Sequence, residues 1–263
     1  MKNEYALITG ASSGIGKELV NLFAKDGINV ILVARREEIL EQIKKDIQSK
    51  YNVDVIVLPH DLSKVEECDE IFKETNSQGL NVKYLINNAG YGYRSSFVDS
   101  DFAKQEALIN VNLNSLMRLT HLYGKVMREN KDGHILNVSS VASYLAGPYM
   151  STYFAVKAYV KSFSEAIYEE LKPHNVYVSC LCPGPVKTGF EKASNLESTS
   201  MFKTFKPMSA SKCAAIAYKG MMKKKCIINC GAFVKLGSLG TRFVSRRFTR
   251  KLAIKSNRAP EDK

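Results

Sequence analysis

Short apolar runs, many of them β-branched, alternate along the chain with longer segments whose apolar positions recur at helical spacing. Runs such as residues 30–33 are apolar throughout, which is typical of strands in a parallel sheet covered by helices on both faces. The predicted strands span residues 4–9, 28–34, 53–58, 83–87, 133–138, 175–182 and 226–229. The predicted helices span residues 14–26, 36–50, 64–76, 101–129, 150–172 and 209–224. This alternation favours the α/β class, with a doubly wound parallel sheet and right-handed crossovers.

No linker and no internal repeat divides the 263 residues, so the sequence predicts a single domain. We expect this domain to occupy residues 1–230, to contain a loop-rich segment at about 185–208, and to be followed by a tail at 231–263. The first residues lead directly into a strand, and no apolar stretch approaches the roughly 18–20 residues of a membrane-spanning helix. We therefore expect a cytoplasmic protein.

The positive charge is concentrated at one end of the chain. The sequence holds 38 basic and 26 acidic residues, a net charge of +12. Residues 219–263 contain 13 of the basic residues and, of the acidic ones, only Glu261 and Asp262, so the preceding part is nearly neutral. A nearly neutral body gives no reason to predict a nucleic-acid-binding fold. The six cysteines and four histidines lack the paired spacing of a metal site, so no metal is expected.

A glycine-rich turn follows the first strand, where residues 9–16 read TGASSGIG before the helical pattern begins. A helix N-terminus presents unpaired N–H groups and the positive end of the helix dipole, and glycines let a pyrophosphate approach the backbone closely. Because the turn lies between a strand and a helix, it predicts a dinucleotide site rather than an ordinary connection.

The side chains after the second predicted strand distinguish NAD(H) from NADP(H). An acidic side chain at this point binds a ribose 2′-hydroxyl in NAD-binding proteins, but here Arg35 and Arg36 follow the strand. Two permanently charged guanidinium groups suit a 2′-phosphate, so the sequence favours NADP(H) over NAD(H). The alternative is that both arginines only begin a solvated helix and pair with Glu37, Glu38 or Glu41.

A tyrosine and a lysine stand four residues apart, Tyr153 and Lys157, on one face of a predicted helix. A phenol with a pKa near 10 is a poor proton carrier at neutral pH, and a nearby cation lowers that pKa by stabilising the phenolate. A tyrosine and a lysine at this spacing are common on helices, so the pair indicates a function only together with further motifs in the chain.

With these motifs the sequence resembles the short-chain dehydrogenase/reductase family over residues 4–190, since the family's elements occur in order and at the usual spacing. Besides the glycine turn and the Tyr153–Lys157 pair, the matching elements are Asp61-Leu62, Asn87-Asn88-Ala89-Gly90, Asn112, Ser140, and Pro183-Gly184 with Thr188. The resemblance implies a Rossmann-type sheet and an enzyme that transfers hydride between NADP(H) and a carbonyl or alcohol substrate.

The resemblance also implies roles for individual residues. Tyr153 would be the general acid/base and Ser140 would hydrogen-bond the carbonyl oxygen. Lys157 would lower the pKa of Tyr153 and hold the nicotinamide ribose, and Asn112 would anchor a water of a proton relay. The implied cofactor-binding residues are Gly10, Ser12, Ser13, Gly14, Ile15, Gly16, Arg35, Arg36, Asp61, Leu62, Asn88, Ala89, Gly90, Tyr153, Lys157, Pro183, Gly184, Val186 and Thr188.

The substrate is less well defined by the sequence. The segment 185–208, where the family builds its substrate lid, contains Phe190, Leu196, Met201, Phe202 and Phe205, and it favours an apolar ketone, aldehyde or alcohol. Loop tyrosines are expected to border this pocket, namely Tyr91, Tyr93, Tyr144 and Tyr149. Two alternatives remain open: a 3-ketoacyl carrier-protein reductase, and a non-catalytic NADP(H)-sensing protein that binds a partner.

Two further expectations concern surfaces. The family commonly pairs the helices that correspond to 101–129 and 150–172 between subunits, which implies a homodimer or homotetramer; Leu108, Leu116, Phe163 and Ile167 could serve the core or that interface. In residues 231–258, basic residues that include Arg242 are interleaved with apolar ones. This pattern is typical of a segment in the interface of an anionic membrane. A solvated helix over the substrate site and a partly disordered tail are the alternatives.

Overall fold

The computed structural model of the protein describes residues 4–196, 207–241 and 243–258. Its strands are β1 (Tyr5–Thr9), β2 (Asn29–Val33), β3 (Val55–Leu58), β4 (Val82–Asn87), β5 (Gly133–Val138), β6 (Val176–Pro183), β7 (Val186–Lys187), β8 (Met208–Ser209) and β9 (Ile227–Cys230). Within the described residues, seven strands form one parallel sheet in the order β3-β2-β1-β4-β5-β6-β9, and β7 pairs with β8 separately. The order confirms the doubly wound, Rossmann-type sheet that the sequence predicts.

The helices follow the strands in alternation. They are α1 (Gly14–Lys25), α2 (Glu37–Gln48), α3 (Glu67–Ser77), α4 (Phe102–Ile109), α5 (Ser115–Asn130), α6 (Ser151–Leu171), α7 (Phe190–Ala193), α8 (Ala210–Met222), α9 (Ala232–Gly240) and α10 (Arg246–Asn257). Short 3₁₀ helices lie at Val141–Tyr144 and Lys172–His174, and a π-helical turn lies at Asn110–Asn114.

Three predicted elements need correction. The helix predicted at 101–129 is divided, because the π-helical turn separates α4 from α5. The helix predicted at 64–76 begins only at Glu67, since a turn in which the Asp61 carboxylate accepts the Ser63 N–H at 3.0 Å comes first. The strand predicted at 53–58 begins only at Val55, where its pairing with β2 starts.

Each face of the sheet is covered by its own group of helices. In β1, Ala6 and Ile8 face a core cluster with α1, α2 and α8, whereas Tyr5 and Leu7 face a second cluster with α3 and α5. Successive side chains of a strand point to opposite faces, so a strand buried on both faces must be apolar at every position. This explains why the strands are the clearest signal in the sequence.

Thr9 joins the carboxyl ends of β1 and β4. Its hydroxyl accepts the N–H groups of Asn88 and Ala89 at 2.9 and 3.0 Å and donates to the Ile86 carbonyl at 3.2 Å. The Asn88 amide in turn donates to the Thr9 carbonyl at 2.8 Å. These bonds place the glycine-rich turn after β1 directly beside the segment 88–90 after β4.

The C-terminal residues after β9 form two helices, and each of them contacts the body of the protein. The side chain of Val234 in α9 lies 3.1 Å from the position that a Cβ atom would take at Gly184. The amide of Asn257 at the end of α10 donates to the Pro148 carbonyl at 3.0 Å. None of the helices in the described ranges has the length and apolar content that crossing a bilayer requires. Arg242 lies outside the described residues.

A chain of buried polar side chains runs through the interior beneath the strand ends. The Asn87 amide donates to Thr120 and to Asn137, both at 2.9 Å, and the Asn137 amide donates to Ser164 at 3.0 Å. Asn137 and Ser164 are fully buried. A buried polar group is stabilising only while its hydrogen bonds are made, so each member depends on its neighbours.

We expect Asn137→Ala to lower the free energy of unfolding by about 2–4 kcal/mol, because it deprives the buried Asn87 and Ser164 of a partner and leaves a cavity. Urea unfolding followed by circular dichroism measures this change. The control is Asn76→Ala on the exposed surface of α3, which should change the free energy by less than about 0.5 kcal/mol. Equal, small effects for the two variants would contradict the structural role of the chain.

Candidate active site

The glycine-rich turn adopts a backbone that only glycine accepts easily. Gly10 and Gly14 have φ angles of +67° and +56°, in the left-handed region. Gly16 has a different role, since a Cβ atom there would collide with the Gly10 carbonyl oxygen. The third glycine therefore allows α1 to pack closely against the turn, and α1 begins at Gly14 with its N-terminus at the strand ends.

Several residues that the sequence predicts for cofactor binding meet at this turn. The Arg36 guanidinium donates to the Ser12 hydroxyl at 3.2 Å. Thr188, which follows β7, lies 3.0 Å from the position that a Cβ atom would take at Gly14. Ser13 precedes α1 as its N-cap residue and is exposed. Three separate parts of the chain thus surround one backbone turn.

Arg35 and Arg36 are both exposed, at the end of β2. Neither guanidinium forms an ion pair with a carboxylate of the described residues, so the alternative pairing with Glu37, Glu38 or Glu41 is not made. Arg35 lies close enough to Tyr91 for its charge to act on the phenol. The two cations are therefore available to an anion beside the glycine turn.

The segment after β3 is less exposed than the arginines. Leu62 is buried, and Asp61 is half-buried and caps the following turn. Burial raises the pKa of the Tyr91 phenol, and the charge of the nearby Asp61 carboxylate adds to this rise. Pro183 and Val186 are buried at the end of β6 and in β7.

Tyr153, Ser140 and Lys157 come together beneath the strand ends. Ser140 follows β5, where its hydroxyl accepts the Ala142 N–H at 3.1 Å, and its side chain lies close enough to the Tyr153 phenol to lower the pKa of that phenol. Tyr153 and Lys157 lie on α6 and are only 8% and 4% exposed. The Lys157 ammonium donates to the Val138 carbonyl at 2.9 Å and lies 5.7 Å from the centre of the Tyr153 ring.

Burial shifts the pKa values of both titrating groups. Desolvation raises the pKa of Tyr153 to about 12, and the hydrogen bond with Ser140 offsets only part of this rise. Desolvation lowers the pKa of Lys157 to about 8. Burial and Ser140 account for the shift at Tyr153, and the expected lowering of the Tyr153 pKa by Lys157 stays a prediction.

Asn112 completes the group through the π-helical turn. Its amide donates to the carbonyls of Tyr91 and Leu108, both at 3.0 Å. Its side-chain oxygen is buried and accepts no hydrogen bond from any described group. A Cβ atom at Gly90 would lie 2.5 Å from this oxygen and 3.4 Å from the Lys157 ammonium, so all three residues meet. Three asparagines at 110, 112 and 114, which are poor helix formers, were the available signal for this break.

The first part of the predicted substrate lid is closed over Tyr153. The Phe190 ring lies 5.5 Å from the Tyr153 ring, and Leu196 is fully buried. The buried hydroxyl of Ser194 accepts the Gly92 N–H at 3.0 Å, a contact that no local sequence pattern predicts. Met201, Phe202 and Phe205 lie outside the described residues.

The four loop tyrosines expected at the pocket differ in their surroundings. Tyr91 and Tyr93 pack in the apolar cluster that contains Tyr153. The Tyr144 hydroxyl instead donates to Asn229 at 3.1 Å, and the Tyr149 carbonyl accepts the N–H of Ser95 at 2.8 Å.

We expect Lys157→Met to stabilise the protein by up to about 3 kcal/mol near pH 7, where the native side chain is charged and buried. The pKa of Lys157 is about 8 in the folded protein and 10.5 as its ordinary value. Between about pH 8 and pH 10.5 the unfolded chain therefore binds more protons than the folded protein, so the stability of the native protein rises with pH. The extra stability of Lys157→Met over the native protein should disappear over the same pH range. Urea unfolding at about pH 7 and about pH 10 measures this.

The matched control is Lys161→Met, one turn further along α6. The Lys161 ammonium pairs with Glu165 at 2.7 Å, so its removal should give no gain in stability. A gain from Lys157→Met that did not change between the two pH values would contradict the desolvation of Lys157.

Comparison with known proteins shows which family shares this sequence. The sequence matches the family model described as short chain dehydrogenase over residues 4–199. It is 34% identical over 193 residues to the very-long-chain 3-oxoacyl-CoA reductase of Mus musculus, an alignment that covers 72% of this chain and 61% of that protein. The chain thus spans less than two thirds of the length of this relative.

Two solved structures are similar over nearly the whole chain. A short-chain dehydrogenase from Sphingobium yanoikuyae in complex with NADPH has 27% identity and a TM-score of 0.81, covering 91% of this chain and 94% of that one. A 7β-hydroxysteroid dehydrogenase has 25% identity and a TM-score of 0.86, covering 95% and 96%. The chain belongs to the short-chain dehydrogenase family.

Proposed function

We propose that the protein is an NADP(H)-dependent reductase of apolar ketones, with long-chain 3-oxoacyl thioesters as its favoured substrates. The observation that supports this most directly is the buried group of Tyr153, Ser140, Lys157 and Asn112 beside the glycine-rich turn. A non-catalytic sensing role is disfavoured, because cofactor binding alone does not require a proton donor such as Tyr153 with Ser140 beside it.

The residues present fit a nicotinamide dinucleotide. The left-handed glycines give its phosphates access to the backbone, the N-terminus of α1 points to them, and Arg36 beside Ser12 suits a 2′-phosphate. When bound, the cofactor supplies or accepts the hydride. Lys157 would hold its nicotinamide ribose, and Thr188 would cover it from the side of β7.

Ser140 and Tyr153 act on the oxygen of the substrate. Charge that develops on a carbonyl oxygen is stabilised by donors already in place, and the Ser140 side chain lies close enough to the Tyr153 phenol to act on its pKa. The raised pKa of Tyr153 keeps the phenol protonated at neutral pH. In the reductive direction Tyr153 therefore donates its proton to the substrate oxygen.

Lys157 and Asn112 replace that proton. The pKa of Lys157 near 8 lets the ammonium lose and regain a proton close to neutral pH. The buried oxygen of Asn112, which no described group satisfies, would bind a water that links Lys157 to solvent. The water held by Asn112 and the Lys157 ammonium then form a path for the proton from outside the protein to Tyr153.

The surroundings of Tyr153 favour an apolar substrate. Phe190, Leu196 and Met150 lie in the same apolar cluster as Tyr153. The name of the Mus musculus relative refers to a 3-oxoacyl-CoA substrate with a very long chain, which agrees with this polarity. The alternative substrate is a 3-ketoacyl group attached to a carrier protein, because the acidic surface of such a carrier would be attracted to the basic tail.

We expect Tyr153→Phe to lower turnover by about a hundred-fold or more while NADPH still binds, since only the proton donor is lost. The assay follows NADPH oxidation with ketones and 3-oxoacyl thioesters graded by chain length. The control is Tyr159→Phe on the exposed side of α6, which should retain activity. An active Tyr153→Phe enzyme would refute the role given to this tyrosine.

Cofactor preference should depend on the two arginines after β2. We expect NADPH to bind more tightly than NADH by about 1.5–3 kcal/mol, the range of hydrogen bonds to charged groups. Arg35→Asp combined with Arg36→Ala should remove or invert this preference in fluorescence titrations. Arg128→Asp, an exposed charge change on α5, should leave it unchanged. Equal affinity of the native protein for both cofactors would rule out the assignment.

We also propose that two subunits pair through α4 and α6. An open apolar concavity of about 610 Å³ lies here, lined by Phe97, Ile109, Leu113 and Tyr159 among others. Phe97 and Tyr159 are 52% and 43% exposed, whereas the earlier candidates Leu108 and Leu116 are buried in the core. Phe163 and Ile167 are half-buried against the core clusters.

Light scattering should therefore give at least twice the subunit mass of 29.4 kDa at micromolar concentration. Phe97→Asp combined with Tyr159→Asp should reduce it to the monomer mass, because the charges would be buried in the interface. Met222→Asp, on an exposed side chain of α8, serves as the control. A monomeric native protein would reject this assembly.

A further inference from the structure

Helix α10 exposes the side chains that a helix in a globular protein normally buries. Its buried positions are Ala253 and Asn257, a small residue and a polar one. Phe248 and Leu252 are 58% and 57% exposed, and Ile254 is also exposed. An amphipathic helix on a folded domain has the opposite arrangement, with large apolar residues facing the core.

The preceding residues show the same inversion. In α9, Val234 and Ser238 are buried while Leu236 and Leu239 are exposed. Phe243, between the two helices, is the most exposed of these apolar side chains at 89%. We call Ala232–Gly240 and Arg246–Asn257, with the described residues between them, the tail surface. Single exposed apolar side chains are ordinary on a protein surface, but here several occur within one short segment.

Basic residues lie among these apolar side chains. In α10, Arg247, Arg250 and Lys251 are exposed, and no acidic residue occurs between positions 226 and 260. At 100° per residue, Arg247 and Lys251 fall between Ile254 on one side and Phe248 with Leu252 on the other. The tail surface therefore combines exposed apolar groups with a positive charge that nothing on the same helix neutralises.

The tail surface is fixed beside the active site. Val234 packs against Gly184, which follows β6, and Asn257 is hydrogen-bonded to Pro148, which precedes α6. Gly184 belongs to the segment predicted to cover the nicotinamide, and α6 carries Tyr153. Whatever binds the tail surface is therefore held next to the catalytic residues.

We propose that the tail surface docks on an anionic lipid bilayer. Phe243, Phe248 and Leu252 insert among the acyl chains, and Arg247 with Lys251 contacts the lipid phosphates. Free phosphates or nucleic acid would satisfy the cations but would leave the apolar side chains in water. A bilayer satisfies both, and this inference does not depend on the proposed reductase chemistry.

Sedimentation with lipid vesicles tests the proposal on the full chain. The native protein should pellet at low salt with vesicles of phosphatidylcholine containing about one third phosphatidylserine, and should remain in solution with phosphatidylcholine alone. Phe248→Ser combined with Leu252→Ser should weaken binding at least about ten-fold. Arg247→Gln combined with Lys251→Gln should weaken it about 25-fold, or about five-fold for each cation.

The charge-matched control is Lys45→Gln combined with Lys50→Gln, two exposed cations of the body, which should leave vesicle binding unchanged. Failure of the native protein to pellet, or equal weakening by the control, would overturn the proposal. Two further results would identify an anion site and would likewise overturn the proposal. One is vesicle binding that the apolar substitutions leave intact. The other is complete displacement of the protein from vesicles by micromolar coenzyme A or an oligonucleotide.

Discussion

The buried ammonium of Lys157 is the constraint on which the rest of the active site depends. A cation taken out of water is tolerated only when neighbouring dipoles face it, and the Val138 carbonyl does so at 2.9 Å. The Ser139 hydroxyl holds the backbone of Lys157 at 2.7 Å, and Gly90 leaves room where a side chain would intrude. Burial of this ammonium lowers its pKa to about 8, which is the property that the proposed proton transfer requires.

The parts of the fold set by local sequence were predictable. A strand buried on both faces must be apolar throughout, and a turn with φ angles of +67° and +56° must contain glycine, so both leave a direct trace in the sequence. The doubly wound class of the sheet follows from the alternation of strands and helices, whereas the order of its strands had to be seen in the structure. The residues of the candidate site could be named because their spacing matches a family, and the structure brings Asn112, Ser140, Tyr153 and Lys157 together.

Interactions between distant parts of the chain were not predictable. The bond between Asn87 and Asn137 joins residues 50 positions apart, and that between Gly92 and Ser194 joins residues 102 apart. Helical periodicity likewise cannot show a π-helical turn, since Leu108 and Leu116 keep their apolar spacing across it. The pKa of Tyr153 depends on burial, which the Tyr153–Lys157 spacing alone does not reveal. The positive charge of the tail could be predicted from the sequence, but which face of α10 is buried could not.

The most direct test of the account is to follow the transferred hydrogen itself. NADPH carrying deuterium at the transferable position of its nicotinamide is incubated with the native protein and a long-chain 3-oxoacyl thioester, and the product is analysed by mass spectrometry. We expect one deuterium on the carbon that becomes the carbinol, and about a hundred-fold less labelled product from Tyr153→Phe in the same time. Tight binding of NADPH without deuterium in the product of this or any ketone of the graded series would contradict it.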